Sequence, residues 1–186
     1  AIPAPNHEGK PDWDRFHNEG WSYGDHFLQP FLEALRQIGV APRLLPNLAA
    51  YRSGKFSEAA KIACDRPGAI REIIERVSGR ELAEDWFPWQ PLDSKGSLDG
   101  LTITGYAYPL VHWRDSHGET GSSNIEKGEG KLPWRLDWPA KWGFNNITCE
   151  PFGKDHGAAG GSYDTGKEIA VLFGYEPPAP LTYEWI

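Results

Sequence analysis

The spacing of apolar and polar positions divides the chain into helical and extended stretches. From Ser22 to Gly39 the apolar residues recur every three or four positions, which predicts an amphipathic helix. Ser22 can cap its first turn together with Asp25, and Gly39 ends it. Val40–Leu45 is then predicted to be a short buried strand, and residues 1–20 an extended polar lead-in. The apolar stripe comprises Phe27, Phe31, Leu32, Leu35 and Ile38.

A second helical region is predicted over Ser57–Val77, with a break near Pro67–Gly68. Farther along, Leu101–Thr104 and Leu110–Trp113 alternate at period two, and turn residues follow them. This change of period predicts a small antiparallel sheet inserted between helical layers. The residues expected to face the core of the helical region are Ala60, Ile62, Ala63, Ile70, Ile73 and Ile74.

The last part of the chain has the pattern of a strand, a loop, a helix and a strand. Ile147–Cys149 is a short apolar strand, Pro151–Asp155 a turn, Gly160–Phe173 a helix and Leu181–Ile186 a closing strand. A crossover of this kind joins parallel strands. The predicted fold class is therefore α/β with a small β insertion.

Composition favours a globular chain of one domain, or of one domain with a small insertion. Of the 186 residues 39% are hydrophobic and 13% aromatic, which is rich for a disordered segment. Apolar runs are too short to span a membrane, and Cys64 and Cys149 form no Cys-x-x-Cys pair, so we expect a cytoplasmic protein without a disulfide scaffold. The net charge of 19 − 26 = −7 indicates that the main docking surface of any RNA partner lies elsewhere.

Two segments near the predicted βαβ unit could carry chemistry. In Cys149–His156, Gly153 permits close approach of a ligand to the backbone, and Asp155 can accept hydrogen bonds from ribose hydroxyls beside His156. Ligands of open α/β sheets bind at this point, beyond a strand and at the start of a helix. The alternative is an ordinary turn with Asp155 as a helix cap. The residues alone leave both interpretations open.

The second segment, Lys131–Trp142, holds three tryptophans interleaved with charged residues. They could form the wall of a pocket for a cationic chain, since an ammonium group on an indole face gains about 1–2 kcal/mol when it is desolvated. A buried tryptophan cluster with an internal Arg135–Asp137 pair is the alternative. A third segment, Trp21–Phe27, contains Tyr23, Asp25 and His26, which we interpret as capping and packing groups. Histidine and acid spacing predicts no metal site.

Together these stretches resemble a known family in residues and in order. The resemblance is to the class I lysyl-tRNA synthetases of archaea and some bacteria, and it runs along nearly all 186 residues. The stretches that carry it are Ser22–Phe27, Tyr51–Glu58, Glu84–Pro88, Leu132–Trp142, Glu150–His156 and Gly161–Ile169.

The resemblance implies part of a Rossmann-like class I aminoacyl-tRNA synthetase catalytic core. Residues 1–93 would be its helical and α/β part, 94–128 the small antiparallel β insertion, and 129–186 the βαβ part with the substrate pocket. The implied activity is that of a lysine–tRNA ligase, which forms lysyl-adenylate from ATP and passes lysine to tRNA. Implied ligands are lysine, Mg-bound ATP and tRNA-Lys, the tRNA mainly through parts outside this sequence.

Residue roles follow from the same resemblance. Gly153 and Asp155 match the class I motif that holds the adenosine ribose of ATP. Trp138 and His156, together with Trp134 and Tyr163, match the wall of the lysine pocket. The resemblance leaves open which of them holds the lysine ammonium group, and it places no catalytic residue in this sequence.

The sequence departs from the family pattern in ways that bear on activity. Neither the His-x-Gly-His-type nor the Lys-x-Ser-Lys-type phosphate motif occurs in it, nor does the anticodon-binding region. We therefore expect this segment to be inactive alone; a stand-alone lysine- and adenosine-binding module and a purely structural domain are the alternatives. Many relatives carry cysteine pairs where this chain has residues 94–128, so we expect no zinc and an insertion held by β-pairing.

Overall fold

Helices dominate the first part of the chain in the computed structural model, which describes residues 2–184. The chain divides into two units, Ala1–Leu45 and Pro46–Ile186. In the first unit, α1 spans Trp13–Glu19. Asp12 caps it by accepting a hydrogen bond from the Arg15 backbone N–H at 3.0 Å. The prediction of an extended lead-in over residues 1–20 was therefore wrong from residue 13. Pro3, Pro5 and Pro11 suggested irregular structure, but the helix begins directly after them.

Helix α2 spans Tyr23–Gln37 and confirms the predicted amphipathic helix and its start. The Ser22 hydroxyl accepts from the Asp25 N–H at 3.2 Å, and the Asp25 carboxylate accepts from the Ser22 N–H at 3.0 Å, which completes the capping box. The Ser22 hydroxyl also lies 2.6 Å from the Asp25 carboxylate, to which it can donate, and this contact together with the Ser22 N–H holds the pKa of Asp25 below its usual value. Of the apolar stripe only Leu32 is buried, and Phe27 remains 56% exposed.

The predicted strand Val40–Leu45 was wrong. These residues have no regular structure, and all six are exposed. Pro42 and the following Pro46 lack the N–H that a strand needs, and no neighbouring strand within residues 2–184 pairs with the segment.

Within residues 46–184 the second unit contains six α-helices and one short 3-10 helix, Ile125–Lys127. The predicted region Ser57–Val77 is confirmed as two helices, which meet where Pro67 begins the second one. Ala60, Ala63, Ile70 and Ile74 of the predicted core face are buried, and the remaining two residues are partly buried. The helices are α3 Asn47–Arg52, α4 Ser57–Asp65, α5 Pro67–Ser78, α6 Trp134–Phe144, α7 Lys154–Gly157 and α8 Ser162–Leu172.

The strands of the second unit form three small sheets. The predicted antiparallel sheet is confirmed: β2, β3 and β4 pair in sequence order, so this part of the chain is held by β-pairing. β1 pairs with β5 antiparallel, and β6 pairs with β7 in parallel. The strands are β1 Gln90–Pro91, β2 Thr102–Ala107, β3 Leu110–Arg114, β4 Thr120–Asn124, β5 Gly130–Lys131, β6 Cys149–Gly153 and β7 Ala179–Tyr183.

The β6–α8–β7 crossover confirms the predicted βαβ unit but corrects its boundaries. The strand expected at Ile147–Cys149 begins only at Cys149 and continues to Gly153, and the residues expected to form a turn end this strand and begin α7. Pro151 suggested a turn, yet it fits here because β6 pairs only with β7 among the described residues. Strand β7 ends at Tyr183; the expected continuation to residues 185–186 lies outside the described residues.

Helix α6 was not predicted. Pro139 lies inside it and argued against a helix, since it removes one N–H donor. Burial of Leu136, Ala140 and Trp142 against the core outweighs that loss. The core of this unit also contains Phe56, Trp89 and Ile169, the last of which belongs to α8. Within residues 2–184 no helix is long and apolar enough to cross a membrane.

Candidate functional site

Helix α6 presents three tryptophans on one face. Trp134, Trp138 and Trp142 are four residues apart, a spacing that brings side chains of a helix next to each other. Their ring centroids are 4.8 Å apart in both successive pairs. Trp134 is half exposed and Trp142 is buried, so this aromatic wall runs from the surface into the core.

His156 closes one side of the aromatic wall. It lies on α7, directly after β6, and its imidazole stacks on the Trp134 indole with a centroid distance of 5.4 Å and an interplanar angle of 17°. The Trp138 ring lies 5.7 Å away. The Nδ1 atom is 3.3 Å from the Ser162 hydroxyl oxygen, which holds the ring in place. The structure thus brings together Trp134, Trp138 and His156, three residues of the predicted lysine pocket.

Gly153 and Asp155 lie at the carboxyl end of β6. A Cβ atom on Gly153 would lie 2.7 Å from the Asp155 Oδ1 atom, so a side chain there would displace the carboxylate. The Asp155 side chain is 49% exposed, and its Oδ2 atom lies 3.7 Å from His156 Nε2. Neither α7 nor α8 has a side-chain cap, so Asp155 does not serve as the helix cap of the alternative interpretation.

Tyr163 lies apart from the other predicted pocket residues. It is buried, its ring packs against Phe152 at 4.8 Å and Trp142 at 5.8 Å, and its hydroxyl donates to the Pro178 carbonyl at 2.6 Å. Burial raises the pKa of Tyr163. The ring therefore supports the inner end of the aromatic wall, and a direct contact with lysine stays a prediction.

The internal pair Arg135–Asp137 of the alternative interpretation does not form. Arg135 donates to the Thr165 hydroxyl at 3.1 Å, and burial lowers the pKa of Arg135. Asp137 accepts from the Tyr51 hydroxyl at 2.7 Å and pairs with Lys141 at 2.7 Å. Arg135 thus connects α6 to α8, and Asp137 connects α6 to α3. Their side chains do not occupy the outer end of the aromatic wall.

The start of α8 adds a positive partial charge near Asp155 and His156. No side chain caps this helix, so its first N–H groups point outward unpaired by a capping group. A Cβ atom on Gly161 would lie 2.5 Å from the His156 carbonyl oxygen, so glycine is needed where the chain turns tightly from α7 into α8. An anionic group could bind beside this turn.

Two residues that the sequence did not single out also shape the site. Glu150 on β6 accepts hydrogen bonds from the indole N–H groups of Trp138 and Trp142. Tyr183, the register partner of Gly153 at the end of β7, keeps its ring half exposed at the same sheet edge. Glu150 begins the stretch Glu150–His156 that carries the family resemblance, so the sequence contained a signal for this residue. The position of Tyr183 depends on strand register, which the sequence does not show.

Metal ligation has no evident site here. Among residues 2–184 no group of three or more histidine, cysteine or acidic side chains is placed to hold an ion. Cys64 is buried in the core and Cys149 is exposed at the start of β6, and neither forms a disulfide.

The chain is similar to known proteins along most of its length. The family model described as tRNA synthetases class I (K) matches residues 14–186, more than nine-tenths of the chain. This chain belongs to that class I synthetase family. Within residues 2–184 the chain has an α/β fold, with helices, small antiparallel sheets and one parallel strand pair.

Individual curated relatives are also similar to this chain in sequence. The lysine–tRNA ligase of Thermoplasma acidophilum is 42% identical over 187 aligned residues, which cover 100% of this chain and 34% of that protein. The lysine–tRNA ligase of Methanosarcina barkeri is 45% identical over 89% of this chain and 31% of its own length. That of Thermoplasma volcanium is 43% identical over 88% of this chain and 33% of its own. The chain thus spans about a third of the length of these curated relatives.

Proposed function

We propose that this chain is a segment of a lysine–tRNA ligase and contributes the walls of its lysine and adenosine sites. The observation that carries the proposal is the cluster of Trp134, Trp138 and His156 beside Asp155, at the carboxyl end of a parallel strand, in a chain of this family. Relatives named lysine–tRNA ligase match it along most of its length, which favours this function over a stand-alone binding module.

The aromatic wall suits the side chain of lysine. Its methylene groups can pack on indole faces, and its ammonium group is attracted to the same faces within about 6 Å of a ring centroid. Trp134 and Trp138 offer such faces at the exposed end of the wall, and His156 borders them. We assign the lysine contacts to Trp134, Trp138 and His156, with Tyr163 as their support.

The strand end suits the adenosine of ATP. Asp155 is an exposed carboxylate without a capping role, and a carboxylate can accept hydrogen bonds from both hydroxyls of a ribose. Because Gly153 has no side chain, the Asp155 carboxylate can occupy the space beside the Gly153 backbone. In open α/β sheets nucleotides bind at this kind of edge, which supports a Rossmann-like core for the parallel pair.

The reaction would proceed in two steps of acyl activation and transfer. The lysine carboxylate attacks the α-phosphorus of ATP and releases pyrophosphate, and the terminal ribose of tRNA-Lys then attacks the lysyl carbonyl and releases AMP. The residues of this segment would bind and orient the reactants. Mg²⁺ would be held by the phosphates of the bound ATP, whose oxygens are ligands that this ion prefers.

The organisation proposed from the sequence fits this role. Residues 1–93 and 129–186 would form catalytic-domain parts around the β insertion of residues 94–128, and the enzyme would work in the cytoplasm. No zinc site is proposed in the insertion, whose strands pair directly.

Titration calorimetry of the chain with a non-hydrolysable lysyl-adenylate analogue tests the proposal. We expect saturable binding at one site, and much weaker binding of the norleucyl analogue, which has the same carbon chain but lacks the terminal ammonium group. An analogue that binds equally well with either side chain would contradict the lysine assignment. Absence of binding by the folded chain would contradict the proposal as a whole.

A further inference from the structure

Glu150 joins two rings of the aromatic wall to strand β6. Its Oε1 atom accepts a hydrogen bond from Trp138 Nε1 at 3.2 Å, and its Oε2 atom accepts from Trp142 Nε1 at 2.9 Å. These are the only hydrogen bonds that the Glu150 side chain makes within residues 2–184. One carboxylate therefore fixes two indole rings, and we call this arrangement the indole clamp.

The indole clamp holds Trp138, one of the two tryptophan rings that contact His156. Trp138 packs against Trp134 at 4.8 Å and His156 at 5.7 Å, whereas Trp142 is buried against Tyr163 and α8. Trp142 is therefore held by packing. Trp138 is only partly buried, so its rotamer depends more on the hydrogen bond to Glu150.

We propose that Glu150 is a positioning residue of the lysine pocket, which holds the Trp138 indole in the orientation that faces His156. It acts through Trp138 and does not itself touch the ligand. The part of this inference that concerns lysine rests on the proposed function; the part that concerns the orientation of Trp138 does not.

A carboxylate is suited to this task in a way that an amide is not. Glutamate presents two acceptor oxygens, one for each indole N–H, and an indole N–H can only donate. In a Glu150→Gln variant the amide oxygen can serve one indole, while the amide NH₂ would face the other N–H group. The substitution keeps shape and volume, so it isolates the hydrogen bonds from the packing.

Nuclear magnetic resonance of the isotope-labelled chain can follow each indole N–H separately, with Trp138→Phe and Trp142→Phe variants to assign the two signals. In Glu150→Ala we expect both indole protons to move upfield, because each loses its acceptor. In Glu150→Gln we expect only one to keep its wild-type position. The His156 ring protons should shift in Glu150→Ala, because they sense the ring current of Trp138. Glu176→Gln is the matched control, since Glu176 is exposed and lies outside the clamp.

Lysine affinity provides the second readout. A lost hydrogen bond to a charged acceptor corresponds to roughly a tenfold loss of affinity when it orients a binding group. We expect about that loss of affinity for the lysyl-adenylate analogue in Glu150→Ala, and a smaller one in Glu150→Gln. Unchanged Trp138 and His156 resonances in both variants would overturn the inference.

The two claims can fail separately. If the wild-type chain does not bind the analogue, the proposed function fails, and the resonances of Trp138 and His156 still decide whether Glu150 orients the ring. If the analogue binds and Glu150→Ala moves both resonances without weakening binding, the positioning role in the lysine pocket is overturned. Should Glu150→Ala fail to fold, Glu150→Gln decides: a shift of either the Trp138 or the Trp142 indole proton supports the indole clamp, and no shift of either proton overturns it.

Discussion

Asp155 and His156 are adjacent in the sequence but have different surroundings. The Asp155 carboxylate is turned toward the backbone of Gly153 and toward solvent, whereas the His156 ring is stacked on Trp134. Helix α7, only one turn long, sends the two side chains in different directions at the end of β6. Under the proposed function, this divergence would let one dipeptide contact two parts of a ligand, a ribose and a lysine side chain.

Replacement of Asp155 by alanine should weaken binding of the lysyl-adenylate analogue. The loss of a carboxylate-to-hydroxyl hydrogen bond costs about 1.5–3 kcal/mol, or roughly ten- to a hundredfold in affinity. Affinity for free lysine should change little. Asp99→Ala, at an exposed loop position, serves as the control for calorimetry. Equal affinity of wild type and Asp155→Ala for the analogue would exclude the ribose role.

Replacement of His156 by alanine should have the opposite profile. We expect weaker binding of free lysine, because the ring borders the lysine pocket, and no loss of affinity for adenosine alone. His117→Ala is the matched control, since His117 is exposed in a turn of the β insertion. If lysine and adenosine binding fall together, His156 acts as a folding element and not as a lysine contact.

At the scale of elements, features that depend on neighbouring residues were predicted correctly, and features that depend on tertiary contacts were not. The capping box of α2, the break at Pro67 and the period-two strands β2 and β3 depend on neighbouring residues, and each was visible in the sequence. Helix α6 and the full length of β6 were missed because each contains a proline. Packing of the buried residues of α6 against the core stabilises that helix, and no short window of sequence contains that information.

The same division applies to the candidate site. Residues of a quoted motif, such as Asp155 and His156, could be named from the sequence because the resemblance carries them. The stacking of His156 on Trp134 could not, since it depends on where α6 and α7 lie in space. Glu150 lies in the stretch Glu150–His156 that carries the resemblance, but its hydrogen bonds to two indole groups became visible only in the structure.

Close packing of α6 and α8 gives a prediction about stability. A Cβ atom at Gly166 would lie 2.7 Å from the buried Trp142 ring, so Gly166→Ala should destabilise the fold by about 1–3 kcal/mol. Gly68, in α5, has open space around it, and Gly68→Ala should be neutral or stabilising by about 0.5–1 kcal/mol. Urea unfolding of both variants measures the difference; a Gly166→Ala variant as stable as Gly68→Ala would refute the close contact.

The hydroxyl of Tyr51 links α3 to α6. It donates to Asp137 at 2.7 Å and accepts from the Leu132 N–H at 3.0 Å, and burial raises the pKa of Tyr51 far above its usual value. Tyr51→Phe leaves a buried N–H without a partner, which should reduce the free energy of unfolding by about 1–3 kcal/mol.

Tyr108→Phe is the control for this change. Tyr108 also donates to a carboxylate, that of Glu126 at 2.9 Å, but at an exposed position. Its removal should cost less than about 1 kcal/mol, because solvent can replace the partner. Equal denaturation midpoints for the two variants would argue against a buried link through Tyr51.

At the scale of the whole molecule, we expect ligand binding and catalysis to be separable in this chain. The sequence carries neither phosphate-binding signature of the family, and loss of one preorganised donor of that kind typically costs about 2.7–4 kcal/mol of transition-state stabilisation. We expect the 186-residue chain to show no lysine-dependent ATP–pyrophosphate exchange, while it still binds the analogue. Robust exchange by the purified chain would demand a phosphate site elsewhere within these residues.

The most direct test of the central claim is a crystal structure of the chain with the lysyl-adenylate analogue bound. We predict that the lysyl side chain lies against Trp134, Trp138 and His156, and that both ribose hydroxyls lie within hydrogen-bonding distance of the Asp155 carboxylate. A ligand bound away from the aromatic wall, or a ribose that does not reach Asp155, would contradict the account.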